Sequence, residues 1–137
     1  MAERSSISRG LLDTSVVIDL EHIDIHALPV ESAVSALTFA ELAAGPHATV
    51  DANERARRQD RLQWLEATTS PIPFGVHAAR AYGRVFAAVA AAGRKPRGGR
   101  AVDLMIAATA LAEGLPLFTR KVDDFAGLAG LLEIVAV

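Results

Sequence analysis

Short apolar runs alternate with longer amphipathic ones along the chain, and that alternation predicts an α/β domain. A run beginning near Ile7 and ending at Gly10-Leu11-Leu12 reads as a strand. Asp13-Thr14-Ser15 then offers caps for a helical stretch from Val16 to Leu20. Val34-Ser35-Ala36-Leu37 reads as a second strand. Thr38 and Glu41 have capping-box spacing ahead of Leu42-Ala43-Ala44, and Gly45-Pro46 stops that helix. From Asp51, a predicted N-cap, to about Ala67, the apolar Ala56, Leu62, Trp64 and Leu65 fall among charges at helical spacing. Pro71 ends the pattern, and Ile72 marks a brief strand or turn.

A long helix is predicted from Val76 to Ala92, closed by Gly93, and Arg94 to Arg100 follows as a Gly/Pro-rich cationic loop. Ala101 to Glu113 is apolar all round except for Asp103 and Thr109, which marks a buried helix, and Gly114 gives it a left-handed stop. Leu115 to Thr119 and Glu133 to Val137 read as the last strands, with Asp123-Asp124 capping a short helical turn between them. Four short strands with intervening helices predict a mostly parallel sheet covered on both faces, in one domain spanning residues 1–137.

With 137 residues, 51% of them hydrophobic, the chain can build a core without covalent staples. The absence of cysteine excludes disulfides, thiolate metal sites and Cys nucleophiles. No apolar run approaches the ~20 residues of a membrane span. Met1 to Ser6 has no apolar signal region, so the expected location is the cytoplasm. A net charge of -2 argues against a surface that is wholly a nucleic-acid clamp. Its distribution changes the picture: Leu11 to Glu54 holds eight acids and no Lys or Arg, and the chain past Glu54 holds twelve Lys or Arg against seven acids. Such asymmetry suits carboxylates gathered at one site with cations around it, although scatter alone also produces it.

Five acids at four places in the chain carry candidate chemistry, and each has a plain structural alternative. Asp13 follows an apolar strand, where ligands collect in parallel sheets, and it is equally placed to cap a helix. Glu41 is a candidate ligand or the capping-box partner of Thr38. Asp103 stands in a helix with almost no other polar group; burial of its charge calls for a cation, either Arg100 or another arginine, or a metal. Asp123 and Asp124 follow the strand ending at Thr119 and are also placed to cap. Converging Asp and Glu oxygens repel unless a hard dication such as Mg²⁺ or Mn²⁺ neutralises them, and such a centre does phosphate chemistry.

Leu11-Leu12-Asp13-Thr14-Ser15, Ser35 to Leu42, Val102 to Ala110 and Phe118-Thr119-Arg120-Lys121-Val122-Asp123-Asp124-Phe125 resemble, in order, the acidic motifs of PIN-domain ribonucleases, most nearly the VapC-type toxins of bacterial toxin–antitoxin pairs. The resemblance implies a three-layer α/β/α sandwich and Mg²⁺- or Mn²⁺-dependent cleavage of RNA, leaving a 5′-phosphate and a 3′-hydroxyl. Carried onto this chain it implies Asp13, Glu41, Asp103 and Asp124 as the catalytic and metal-binding acids, with Asp123 the alternative to Asp124. Lys121 departs from the pattern, since family members often have Asn or Asp there. Thr14 and Thr119 match polar residues that orient carboxylates or water. The resemblance further implies a homodimer, a VapB-type antitoxin that blocks the site through an amphipathic segment, and contact with DNA only through that antitoxin. The exposed faces of Val16–Leu20 and Thr38–Ala44 are candidate grooves for it.

Arg94, Lys95, Arg97 and Arg100 are candidates to hold RNA phosphates, or form a solvated loop. Arg55, Arg57, Arg58 and Arg61 share a helix with Glu54 and Asp60, and pairing within the helix is expected of them. Scarce aromatic residues leave base preference unreadable. Two other functions compete. A Mg²⁺-dependent phosphatase with Asp13 as nucleophile calls for a second Asp two positions on, where this chain has Ser15. A degenerate nuclease fold kept for binding accommodates Lys121 but not the retained acids. His22 and His26 have helical spacing without a third zinc ligand and are expected at the surface.

Overall fold

Adjacent residues of the strands enter opposite cores. Leu11, Ala33 and Leu117 join one apolar cluster with Val85, Val89 and Leu104, whereas Leu12, Val34 and Phe118 join another with Val16, Leu42 and Leu65. Strands buried on both faces need cover on both faces. The computed structural model, which describes residues 7–96 and 98–137, provides that cover with helices on either side of the sheet. In chain order the elements are β1 (Arg9–Leu12), α1 (Thr14–Ile18), β2 (Glu31–Val34), α2 (Ala36–Ala44), α3 (Ala52–Thr68), α4 (Val76–Ala91), α5 (Ala101–Glu113), β3 (Leu117–Thr119) and β4 (Ile134–Ala136). Helices α4 and α5 cover one face and α1, α2 and α3 the other, giving the expected α/β/α sandwich.

The strand order is β2-β1-β3-β4 and every pairing is parallel, with Leu11 opposite both Ala33 and Leu117. Chain direction across the sheet reverses between β1 and β3. The carboxyl ends of those two strands therefore frame a topological switch point, where parallel sheets gather ligands.

Most predicted elements are present, and three differ. The second strand lies three residues earlier than expected, because the Ser35 hydroxyl accepts the Leu37 amide at 3.0 Å and starts α2 there. Thr38 is consequently inside the helix, and the predicted Thr38–Glu41 capping box does not form. Helix α1 begins at Thr14 because Asp13 itself is the N-cap. Asp123 and Asp124 lie within a 3₁₀ turn, Val122–Phe125, that has no side-chain cap. The expected caps and stops at Asp51 and Gly114 hold, the latter with φ of 68°. Ile72 forms a parallel bridge to Ser35. Among the described residues no helix is long and apolar enough to cross a membrane. Met1 to Ser6, where no apolar signal region was expected, lie outside the described residues.

Gly10 sits where a Cβ would press into the ring of Phe118, which is fully buried, and lie 3.2 Å from Pro29 Cγ. Overpacking of this kind costs about 1–3 kcal/mol. The expected outcome for Gly10→Ala is a loss of that size in urea denaturation; an unchanged midpoint would mean that the ring moves aside freely.

Candidate active site

The carboxyl edge of the sheet positions the acids. Asp13 leaves β1 with its amide bonded to the Phe118 carbonyl at 3.0 Å, which holds it beside the end of β3. Its side chain is 4% exposed, and Oδ1 accepts from the Val16 amide at 3.1 Å and the Ser15 hydroxyl at 2.6 Å. Asp13 is thus cap and candidate ligand together. Ser15 Oγ in turn accepts the Arg120 amide at 3.1 Å, tying the β1 turn to the β3 turn.

Glu41 reaches the same edge from α2. The Thr14 hydroxyl donates to its Oε1 at 2.5 Å, across 27 positions of sequence, and Thr14 Oγ1 lies 3.0 Å from the hydroxyl of fully buried Thr38. Spacing of three residues puts Thr38 and Glu41 on one face of α2, so both turn towards α1.

Asp103, in the first turn of α5, is partly buried and has no hydrogen-bond or ion-pair partner among the described residues. Its carboxyl is pushed up from 3.8 to about 6, first by burial and then by the charges of Glu41, Asp124 and Asp13, with Lys121 opposing them. The structure therefore brings Asp13, Glu41, Asp103 and Asp124 within one electrostatic neighbourhood. Asp123 is exposed and is not among the charges raising Asp103. The anticipated Arg100–Asp103 ion pair is absent among the described residues. Instead Arg100 donates to the Asp124 carbonyl at 3.3 Å, and Arg94 donates to the Asp123 carbonyl at 2.8 Å. Two hollows flank the acids, one of about 350 Å³ beside Thr14 and Glu41 and one of about 600 Å³ lined by Arg120 to Asp124.

The donor set is all hard oxygen, with surplus negative charge and one unpartnered carboxylate, which fits a dication of the Mg²⁺ class. Among the described residues no three acidic or histidine side chains yet stand close enough to hold an ion. Glu41 Oε1 and Asp13 Oδ1 are engaged by the hydroxyls of Thr14 and Ser15.

Ser15 and Thr38 are the polar residues that sequence reasoning overlooked, although the shared face of Thr38 and Glu41 was a usable signal. Thr14 orients a carboxylate, as its match to the motif implied. Thr119 differs, since its Oγ1 accepts the Lys121 amide at 2.9 Å. In α3, Glu54 pairs with Arg57 at 2.7 Å and Arg58 at 3.1 Å, as expected. Arg55 instead bonds the Pro46 and Thr49 carbonyls, and no ion pair joins Asp60 to Arg61 among the described residues. His22 and His26 are exposed on separate 3₁₀ turns. Arg97 lies outside the described residues.

With this geometry in view, the likeness to known proteins is decisive: the PIN-domain profile matches residues 10–131. The chain belongs to the PIN-domain family. This PIN domain is similar to a member of the VapBC family of toxin–antitoxin systems, VapBC-5 from Mycobacterium tuberculosis, with 36% identity, a TM-score of 0.83 and coverage of 95% of this chain and 99% of that one. It is also similar to FitAcB from Neisseria gonorrhoeae, at 25% identity and a TM-score of 0.64 over 90% and 95% of the two chains. VapBC2 from Rickettsia felis, solved with a DNA fragment from its promoter, shares the fold at 22% identity and a TM-score of 0.72 over 91% and 96%. No curated protein matches the chain.

The raised Asp103 carboxyl has a stability consequence. Its proton is held more tightly in the folded than in the unfolded chain, so the stabilisation is complete below about pH 4 and is lost as pH rises through about 6. In EDTA at pH 7.5, Asp103→Asn is expected to stabilise the PIN domain by about 1 kcal/mol after allowance for solvent screening, roughly 3 °C in melting temperature. At pH 4 the two proteins should melt together. An equal gain at both pH values would point to packing rather than charge.

Proposed function

We propose that this PIN domain is a divalent-metal-dependent endoribonuclease and the toxin of a toxin–antitoxin pair. The observation that carries the reading is that Glu41, Asp124 and Asp13, from three other parts of the chain, all bear on the Asp103 carboxyl at the switch point of a parallel sheet. Asp13, Glu41, Asp103 and Asp124 are the residues that hold the ion, Mg²⁺ or Mn²⁺. When bound, it supplies Lewis acidity towards a phosphoryl oxygen and acidifies water.

The chain's own groups do the positioning. Thr14 and Ser15 fix the Glu41 and Asp13 carboxylates through their hydroxyl protons. Lys121, exposed just past β3, and Arg94, Lys95 and Arg100 take the phosphodiester charge. Water attacks phosphorus and gives up its proton to solvent, the bond from phosphorus to the 3′ oxygen breaks, and that oxygen takes a proton from solvent. The products are a 3′-hydroxyl and a 5′-phosphate, and no side chain becomes bonded to RNA.

The antitoxin reading rests on the VapBC structures to which the chain is similar. A groove of about 450 Å³ between α1 and α3 is lined by Val17, Ile18, Leu20 and Trp64, with Glu21, Arg57, Asp60 and Arg61 at its margin. It adjoins a second hollow, of about 380 Å³, that shares Val17, Leu20 and Trp64. Trp64 is 48% exposed and Ile18 43%. An apolar floor with a margin of both charges suits an amphipathic segment, and we assign it to a VapB-type partner. The α1 face anticipated from sequence thus forms one wall, with α3 as the other. Assembly as a homodimer, and contact with DNA only through the partner, complete the reading.

Purified protein given single-stranded and structured RNA with Mg²⁺ is expected to cut it, and to stop with EDTA. Asp13→Asn should lower the rate at least about 100-fold, and Thr14→Val by about 10–100-fold. Cleavage surviving EDTA and both Asp13→Asn and Asp103→Asn would refute the assignment. Trp64→Ala should leave cleavage intact and weaken inhibition by the co-expressed partner at least about tenfold, a loss typical of an anchoring aromatic; unchanged inhibition would move the groove elsewhere.

A further inference from the structure

Between Glu66 and Asp103 the chain has no acid and six Lys or Arg. This segment includes α4, and α4 is fastened at both ends to the edge of the sheet that carries the acids. Ahead of its first residue, Ile72 bonds the carboxyl end of β2: its amide donates to the Val34 carbonyl at 2.9 Å, and its carbonyl accepts the Ala36 amide at 2.9 Å. Beyond its last residue, Arg94 bonds the Asp123 carbonyl at 2.8 Å, past the end of β3. Helix α4 therefore runs between the β2 side and the β3 side of the candidate active site.

The cations on α4 itself differ from three of the four on α3. There Arg55, Arg57 and Arg58 are all bonded, to carbonyls or to Glu54. On α4, Arg80 and Arg84 are exposed, one turn apart, opposite no acid of their own helix, and neither forms a hydrogen bond or ion pair among the described residues. Lys95 is exposed and equally uncommitted. The buried face of α4 is Ala78, Ala81, Val85 and Val89, and it packs the helix on α5 and leaves the arginines outward. Arginine in solvent with no protein partner keeps its donors for a polyanion.

We infer that Arg80 and Arg84 of α4, continued by Lys95, form a phosphate-binding strip that leads a single RNA strand to the acidic centre. The inference deepens the nuclease reading and rests on it. From Arg80 to the loop at Arg94 is about 20 Å along the helix, so the strip serves only RNA that extends several nucleotides beyond the cut. Recognition is of backbone charge, and it contributes affinity without base preference.

Fluorescence anisotropy tests this with Asp13→Asn protein in Mg²⁺, single-stranded RNA of twelve and of four nucleotides, and a series of salt concentrations. Arg80→Glu/Arg84→Glu is expected to weaken binding of the twelve-mer at least about tenfold and to flatten its dependence of log K on log salt by about 1.4, at roughly 0.7 per lost phosphate contact. The four-mer should bind as before. Arg80→Gln/Arg84→Gln should give the same flattening with a smaller loss, and this milder pair keeps the test valid if charge reversal perturbs the fold. Arg57→Gln, on α3, should change neither. A twelve-mer bound by both double variants with the parent slope and within twofold of the parent affinity overturns the strip while leaving the nuclease reading standing. A parent that binds neither RNA, from an unsubstituted chain that cuts none, overturns both.

Discussion

Carboxylates brought into one another's field repel, and everything at the carboxyl edge of this sheet is arranged around that repulsion. The packing is settled elsewhere, in two apolar layers where Leu11 and Leu12, Ala33 and Val34, and Leu117 and Phe118 divide between opposite faces. Those layers leave β1 and β3 ending side by side, so Asp13 emerges next to the turn that leads to Asp124. The fold does not neutralise what it has assembled. Asp13 accepts two hydrogen bonds and Glu41 accepts one from Thr14, but Asp103 has no such bond among the described residues, and the charge of Lys121 does not outweigh burial and the neighbouring acids. Its place in the first turn of α5 offsets up to about 1 kcal/mol, less than burial among like charges takes away.

Much of this was legible in the residues. A buried helix interrupted by one acid marked α5 and Asp103 together, because an apolar surround makes a lone carboxylate conspicuous. Asp13 was legible from its position after an apolar run, and so was its capping role; the structure shows that both readings are true at once. Glu41 was recognised with the wrong partner. Thr38 and Glu41 have capping-box spacing, but the start of α2 is decided by Ser35, whose hydroxyl takes the Leu37 amide. Ala36 and Leu37 suit a strand or a first helical turn equally well, so local pattern did not choose between them.

What could not be read was contact between elements. The Thr14–Glu41 bond spans 27 residues, and the Ser15–Arg120 bond spans 105. Each depends on strand register and helix rotation, which no window of sequence contains. The same holds for the cations. Arg100 stands three residues before Asp103, yet its guanidinium turns to the Asp124 carbonyl. In α3, Arg58 divides itself between Glu54 and the Gly45 carbonyl, which joins α3 to the end of α2. Counting arginines overstated the charge available to a ligand, and the bonds distinguish those that brace the protein from those that remain uncommitted.

The double duty of Asp13 bears on how this chain can diverge. The side chain that belongs to the acidic centre is also the one that starts α1, so most replacements there remove a helix cap, worth about 1 kcal/mol, along with the charge. Asparagine keeps the cap about as well as the original does. Glu41 and Asp103 cap nothing. A lineage drifting away from catalysis is therefore steered by folding to lose those acids first, and to retain an aspartate or asparagine at position 13 long after selection on chemistry has ended.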